Sequence, residues 1–186
     1  MKATLMSLLA VVAMAVAGCE STSGNSQSEN ATLSTRAHAA LDQMANSNES
    51  VRDAMQNAYA YVIFPEVGKA AVGIGGAGGK GVVYQGGHQV GYATLNQGSL
   101  GPQIGGETYS ELILFQNQSS FSNFQSGNLT FGADASATVV KAGAAAAGQF
   151  VNGTRVLILP KGGLMAGASI NGQKFTYTAG AASDER

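Results

Sequence analysis

The chain begins with an apolar run that a polar segment follows. After Lys2, residues 5–17 are apolar except for Ser7. This run is shorter than the about 20 residues that a helix needs to cross a bilayer, so it predicts the hydrophobic part of an export signal. Residues 20–31 (ESTSGNSQSENA) contain no large apolar side chain, which predicts a flexible tether.

Two stretches with helical spacing come next. The apolar positions of the first are Leu33, Ala37, Ala40, Leu41 and Met44, and those of the second are Val51, Ala54, Met55 and Ala58. Ser34 offers an N-cap for the first helix, the pattern breaks at 46–48, and Ser47 or Asn48 could cap the second helix. Packing against a core is favoured over membrane insertion for both apolar faces.

From Tyr61 onward the pattern changes to short β-type runs. They lie at 61–65 (ended by Pro65), 70–79, 81–85, 89–95, 103–116, 129–132, 156–160, 164–170 and 174–178. Gly86-Gly87 and Asn171-Gly172 are turn signals, and the second pair is typical of a two-residue hairpin. We therefore predict an α+β fold in which N-terminal helices pack on a Gly-rich, strongly curved antiparallel (barrel-like) sheet. Residues 119–125 predict one helical turn, and residues 133–148 fit either a strand or a helix.

Glycine is the most informative residue type of the predicted sheet. Residues 62–114 contain 14 of the 26 glycines, and glycine within a strand marks a bulge, tight curvature or close backbone approach. Gly73 and Gly75, and likewise Gly79 and Gly81, repeat at period two and leave one face bare. A strongly coiled sheet is favoured as the explanation, and a glycine floor for a ligand is the alternative.

Composition limits the classes of function. The net charge is -1 and only 11% of residues are charged, against about 25% in typical soluble domains. A nucleic-acid-binding protein would need a basic surface. The single Cys excludes an intrachain disulfide, and two His leave little for a metal or acid–base centre.

Several motifs resemble catalytic or cofactor sites, but the residues around them do not fit such sites. Residues 73–78 match G-x-G-x-x-G, but a dinucleotide site needs a helix to begin there, and residues 79–83 are β-type. The same segment fails as a phosphate-binding loop because Gly81 stands where Ser or Thr would bind Mg²⁺. His38 and His88 have no metal-ligand spacing and no G-x-S-x-G motif accompanies them. We expect no enzyme and no cofactor, and a hydrolase is the remote alternative.

The end of the first apolar run carries a modification signal. Residues 16–19 read Val-Ala-Gly-Cys, which resembles the bacterial lipoprotein signal, in which the Cys thiol receives the lipid. The lipidation site is therefore Cys19, and an ordinary secretory signal is the alternative. We predict a signal peptide at 1–18, a tether at 19–32 and a domain at 33–186. Glu20, by its resemblance to sorting signals, favours a lipid-anchored protein of the bacterial outer membrane.

The region 61–177 resembles the SYLF domain family, also called Ysc84. The matching segments are VIFP at 62–65, GIGG at 73–76, GKGVV at 79–83, GPQIGGE at 101–107, LTFGADA at 129–135 and KGGLMAGASING at 161–172. The chain departs from the family in having no Trp. The resemblance implies a non-catalytic domain that binds membrane phospholipids. The actin binding of eukaryotic relatives transfers poorly to an exported bacterial protein.

A lipid headgroup site needs cations beside an apolar surface. The predicted lipid-binding residues lie beside Gly-rich turns and are Lys69, Lys80, Arg155 and Lys161. Arg36 and Arg52 on the predicted helices are further candidates, since the family's lipid contact is linked to its N-terminal region. These cations could equally be scattered solubilising charges. The alternative function is a structural or partner-binding envelope lipoprotein without a specific lipid site.

Overall fold

One sheet and three helices make up the part of the chain that the structure describes. The computed structural model describes residues 22–72, 74–99, 104–131, 137–141, 149–162 and 170–180. Cys19, the predicted signal segment 1–18 and residues 164–169 of a predicted strand lie outside these ranges. None of the described helices has the length and apolarity needed to cross a membrane.

The two N-terminal helices follow the apolar stripes. Helix α1 spans Thr22–Ser47 and helix α2 spans Glu49–Asn57. All five apolar positions predicted for the first stripe are buried, and Val51 is buried on α2. The break between the helices is confirmed, because Asn48 caps α2 by accepting a hydrogen bond from the backbone N–H of Ser50 at 3.0 Å.

Helix α1 begins earlier than its local sequence suggests. Residues 22–32 of the predicted tether are helical rather than irregular. Ser, Asn and Gly are weak helix formers, but extending an existing helix costs less than starting one. Buried side chains between Leu33 and Met44 already pack on the sheet. An ion pair from Glu29 to Lys80 also ties this part of α1 to the sheet. The function of the segment as a spacer stays a prediction.

Seven strands form the sheet within the described ranges. They are β1 (Ala60–Val72), β2 (Ile74–Gln85), β3 (His88–Ser99), β4 (Ile104–Phe115), β5 (Ala137–Val139), β6 (Thr154–Gly162) and β7 (Gln173–Ala179). Their order is β5-β6-β4-β1-β2-β3-β7, and all neighbours are antiparallel except the parallel pair β5–β6. The predicted helical turn is helix α3, Gln118–Gln125. The run predicted at 129–132 contributes a bridge from Thr130 to Lys174.

The prediction that the first strand ends at Pro65 is wrong. Strand β1 continues to Val72, and its register shifts at Pro65 in its pairing with both β2 and β4. A bulge accommodates proline because the bulged residue does not have to donate a ladder hydrogen bond. The Pro65 carbonyl accepts instead from the buried Ser110 hydroxyl at 2.8 Å.

Alternating side chains divide the core between the two faces of the sheet. One face, here called the helix face, packs Ile63, Val82 and Leu112 against α1 and α2. The opposite face, here called the interior face, carries a cluster that includes Phe64 and Phe115 and the α3 residues Phe121 and Phe124.

The sheet is strongly curved toward its interior face. Strand β7 lies four places from β4, a separation of roughly 19 Å in a flat sheet. Yet Gln173 of β7 hydrogen-bonds Glu111 of β4 at 3.0 Å, and the Phe64 and Phe175 ring centroids are 5.9 Å apart. The α+β class is thus confirmed. The strand order runs openly from β5 to β7, so barrel-like closure stays a prediction.

Glycines permit this curvature by giving space to aromatic rings. A Cβ at Gly81 would lie 2.7 Å from the Phe64 ring, and one at Gly91 would lie 2.6 Å from the Tyr177 ring. The bare positions at 81 and 91 are therefore filled by neighbouring rings, which favours the coiled-sheet interpretation over a ligand floor. Gly86 and Gly87 have φ of 57° and 81° and form the predicted β2–β3 turn.

Candidate functional site

A groove lies between the amino-terminal half of α1 and the β1–β2 hairpin. Its volume is about 380 Å³. The residues that line it are Ser28, Glu29, Thr32, Leu33 and Arg36 from α1, Pro65 and Glu66 from β1, and Lys80 from β2. Two cations and two carboxylates therefore surround a floor to which Leu33 and Pro65 contribute apolar surface.

The spacing of the lining residues follows from the helix and from the bulge. On α1, Glu29, Leu33 and Arg36 are four and three residues apart, so they lie on one helical face. On β1, the bulge at Pro65 places Glu66 opposite Lys80 of β2. Residues from three separate elements thus converge at one place.

Two ion pairs cross the groove. Arg36 Nη2 lies 2.8 Å from Glu66 Oε2, and Lys80 Nζ contacts Glu29 Oε1. The four side chains are 51–60% exposed. Exposed pairs contribute roughly 0–1 kcal/mol each, so a competing anion could replace either carboxylate at small energetic cost.

The structure brings two of the sequence-derived candidates together and separates others. Lys80 and Arg36 share the groove. Lys69 lies further along β1, opposite Ala77 of β2 in the strand register. Arg155 and Lys161 lie on β6, which is three places from β2 in the sheet.

The two cations of β6 differ in their surroundings. Lys161 is exposed. Arg155 is half-buried, its buried Nε has no hydrogen-bond partner among the described residues, and burial lowers the pKa of its guanidinium. Arg52 is exposed on α2.

Sequence reasoning missed the acidic partners of the groove. Glu29 lies in the segment interpreted as a tether, although its spacing from Leu33 and Arg36 is helical. Glu66 follows a proline that suggested the end of a strand. Pro65 within a β-type run was the available sign of a bulge, and a bulge at that position places Glu66 opposite Lys80.

The histidines lie outside the groove. His38 is exposed and its ring makes an edge contact with Tyr84 at 5.8 Å between centroids. His88 is exposed at the start of β3. Burial is the main cause that raises the pKa of Tyr84 to about 12, so its hydroxyl is neutral at physiological pH. Within the described ranges, no group of three or more His, Cys, Asp or Glu residues could hold a metal ion.

The G-x-G-x-x-G segment also has a structural assignment. Residues 74–85 form strand β2, which pairs with β1 along its length. A strand therefore occupies the position where a dinucleotide site would need a helix amino terminus.

Part of the chain matches a known family. Residues 96–183 match the Ysc84 family model, which is described as "Las17-binding protein actin regulator". The matched region includes β4, α3, β5, β6 and β7, whereas every groove residue precedes it. No curated protein shows significant similarity to the chain.

Proposed function

The chain belongs to the SYLF (Ysc84) family, and from that premise we propose that it is a lipid-anchored bacterial envelope protein whose SYLF domain binds anionic phospholipid. SYLF domains are binding domains and are not known as catalysts. We carry over lipid binding rather than actin binding because an exported bacterial protein would not meet actin in its own cell.

The observation that supports this proposal is the pairing of Arg36 and Lys80 at one groove. A phospholipid headgroup offers a phosphate for the cations, and its glycerol and first methylenes can contact Leu33 and Pro65. Each cation is held in a half-exposed ion pair, so phosphate can take the place of Glu66 or Glu29. Exchange of this kind keeps both cations neutralised throughout binding.

The charge balance predicts moderate and salt-sensitive binding. The whole chain has a net charge of -1, and the groove itself contains two positive and two negative side chains. General electrostatic adhesion to an anionic membrane is therefore weak. Binding must depend on local contacts, which added salt screens over a Debye length of about 8 Å at physiological ionic strength.

The proposed anchor would place the groove near a bilayer. Cys19 precedes the start of α1 at Thr22 by three residues. Glu29 lies seven residues into that helix, which corresponds to about 10 Å of helix length. A lipidated Cys19 would thus hold the groove within reach of headgroups, and Glu20 favours the outer membrane as the location.

Vesicle co-sedimentation tests the proposal on acyl-free protein that begins at Glu20. The first buried side chain in the described ranges is Leu33, so removing residues 1–19 leaves the described core intact. We expect binding to phosphatidylglycerol vesicles at low salt and little binding to phosphatidylcholine vesicles. Changing Arg36→Gln together with Lys80→Gln should weaken binding roughly 30-fold, from ~1 kcal/mol per cation near a membrane surface.

A matched control separates local binding from net charge. Lys141 and Lys174 are exposed and do not line the groove, so Lys141→Gln with Lys174→Gln removes the same charge elsewhere. Equal losses in the two double variants would contradict a groove site. Lys69→Gln, Arg155→Gln and Lys161→Gln test the other predicted cations singly, and a loss in any of them extends the contact beyond the groove.

A structural or partner-binding role without a lipid site is the second candidate. The observation that favours it is that both groove cations already have carboxylate partners. Holding α1 on the sheet would then be a sufficient role for these side chains. Under this alternative the wild-type protein binds neither vesicle type at low salt. The groove variants would then change the stability of α1 and nothing else.

A further inference from the structure

A carboxyl group lies fully buried on the interior face of the sheet. Glu111 of β4 has 0% exposure. Its cross-strand partners are Phe64 of β1 and Ile158 of β6, both apolar. An ionised carboxylate in such surroundings loses its hydration, so it needs either a cation or a full set of hydrogen-bond donors.

Gln173 of β7 supplies one donor to this carboxyl. Its Nε2 donates to Glu111 Oε2 at 3.0 Å, and Gln173 is itself 0% exposed. The remaining oxygens, Glu111 Oε1 and Gln173 Oε1, are both buried and have no hydrogen-bond partner among the described residues. The pair therefore has two unsatisfied acceptors and lacks one donor.

The neighbouring groups supply no compensating positive charge. The residues opposite Glu111 on β1 and β6 are Phe64 and Ile158, and Gln97 of β3 contacts Gln173 at 3.5 Å. Among the described residues, no cation contributes to the pKa shift of Glu111. Tyr109 of the same strand is the titratable group that interacts with both Glu111 and Gln173, and Glu107 acts on Tyr109. Burial raises the pKa of Glu111 to about 8 from an ordinary 4.5, against a smaller opposite effect of the Gln173 hydrogen bond. Burial and the Glu111 charge also raise the pKa of Tyr109, so its hydroxyl is neutral at physiological pH.

We propose that Glu111 is a neutral acid at physiological pH and that its Oε1–H donates to Gln173 Oε1, which fastens β7 to β4 across the interior of the sheet. One proton then satisfies both orphaned oxygens, and the carboxyl and the amide are joined by two reciprocal hydrogen bonds. Among the described strands, β7 lies at the end of the order and pairs with β3, and its Lys174 also makes an isolated bridge to Thr130. The acid–amide pair is its side-chain link to the far side of the curved sheet.

The pair makes the stability of the domain depend on pH. Between pH 4.5 and about 8 the folded state holds a proton that the unfolded state has lost. The unfolding equilibrium constant therefore rises with pH by up to about tenfold per pH unit in this window and levels off above it. The stabilisation is complete below the unfolded pKa and is lost as pH rises through the folded pKa.

The first experiment observes the proton directly in the protein that begins at Glu20. Protein labelled with ¹³C at Glu Cδ is titrated by NMR from pH 5 to pH 10, and Glu111→Gln identifies the Glu111 signal by its loss. We expect that signal to report a neutral carboxyl at pH 7 and to titrate with an apparent pKa well above those of the exposed glutamates. A Glu111 signal that is already ionised at pH 7 would overturn the proposal.

The second experiment tests the link to β7. Glu111→Gln keeps an amide donor for Gln173 Oε1 but does not titrate, whereas Asp53→Asn on the exposed surface of α2 removes a charge elsewhere. Hydrogen-exchange protection factors of β7 amides should fall between about pH 5 and pH 8 in the wild type and in Asp53→Asn and level off above that range, and they should stay constant in Glu111→Gln. The same pH dependence in all three proteins would refute the proposed link between Glu111 and Gln173. If Glu111→Gln fails to fold, sequential NMR assignment of the wild type identifies the Glu111 signal, and its titration still decides the protonation state.

Discussion

Glu66 and Lys80 are opposite each other on β1 and β2, yet each forms its ion pair with helix α1. Glu66 pairs with Arg36 and Lys80 pairs with Glu29. The two pairs connect both strands of the hairpin to positions that lie about two turns apart on the helix. Each contributes little to stability because it is exposed, but together they fix where the amino-terminal half of α1 lies on the sheet.

This arrangement predicts that removing one carboxylate improves binding to anionic lipid. In Glu66→Gln, Arg36 loses its competing partner and becomes available to phosphate. We expect about fivefold tighter binding to phosphatidylglycerol vesicles, equivalent to ~1 kcal/mol for one added cation near the surface. The free energy of unfolding should change by less than about 1 kcal/mol.

The control for this variant is Glu49→Gln on α2, which removes an exposed carboxylate away from the groove. Co-sedimentation measures binding, and urea denaturation measures stability. If Glu49→Gln tightens binding as much as Glu66→Gln does, the effect comes from net charge and the groove is not the binding site.

A second prediction concerns the close approach of Phe64 to Gly81. A Cβ at position 81 would lie 2.7 Å from Phe64 Cδ1 and 2.8 Å from the Ile63 carbonyl oxygen. This oxygen belongs to the backbone of a paired strand and cannot rotate away as a side chain could. Gly81→Ala should therefore lower the free energy of unfolding by about 1–3 kcal/mol through overpacking.

Gly98→Ala is the matched variant for this test. It lies in the neighbouring strand β3, where a Cβ would have nothing within 4 Å. Its stability should be unchanged or rise by up to about 1 kcal/mol, because alanine restricts the unfolded chain. Equal denaturation midpoints for the two variants would show that Phe64 moves aside and that Gly81 does not limit the curvature.

Local features of the fold could be predicted from the sequence. The stripe from Leu33 to Met44 and the turn at Gly86-Gly87 depend on residues that are close in the chain, and both predictions are confirmed. The helical state of residues 22–32 could not be predicted, because it depends on packing of the rest of α1 and on the contact with Lys80.

The polar contacts depend on distant parts of the chain. Glu111 and Gln173 are 62 residues apart and meet only because the sheet curves. The register that pairs Glu66 with Lys80 requires the bulge at Pro65, whereas a proline after a β-type run ordinarily suggests a strand end. The groove was therefore found from the structure, although two of its cations had been named from the sequence.

A third prediction concerns the junction between α1 and α2. The Asn48 side chain accepts from Ser50 N at 3.0 Å and donates to the Lys141 carbonyl at 3.2 Å. Asn48→Ala should lower the free energy of unfolding by about 0.5–2 kcal/mol through loss of the cap. Asn48→Asp keeps the acceptor and should lose much less.

Thermal and urea denaturation of both variants, with the exposed Asn46→Ala as reference, measure the effect of the cap. A loss in Asn48→Asp as large as that in Asn48→Ala would assign the stabilisation to the Lys141 contact instead.

The last prediction links the bulge to the groove. Ser110 is fully buried, and its hydroxyl donates at 2.8 Å to the Pro65 carbonyl, which has no strand partner at the register shift. Ser110→Ala leaves that carbonyl without a donor and should lower the free energy of unfolding by about 1–3 kcal/mol. Ser122→Ala removes an exposed hydroxyl from α3 and should have little effect.

Because the bulge sets the direction of Glu66, Ser110→Ala should also loosen the Arg36–Glu66 pair and reduce hydrogen-exchange protection in the amino-terminal half of α1. Unchanged protection in α1, at a stability reduced as expected, would show that the ion pair does not depend on the bulge geometry.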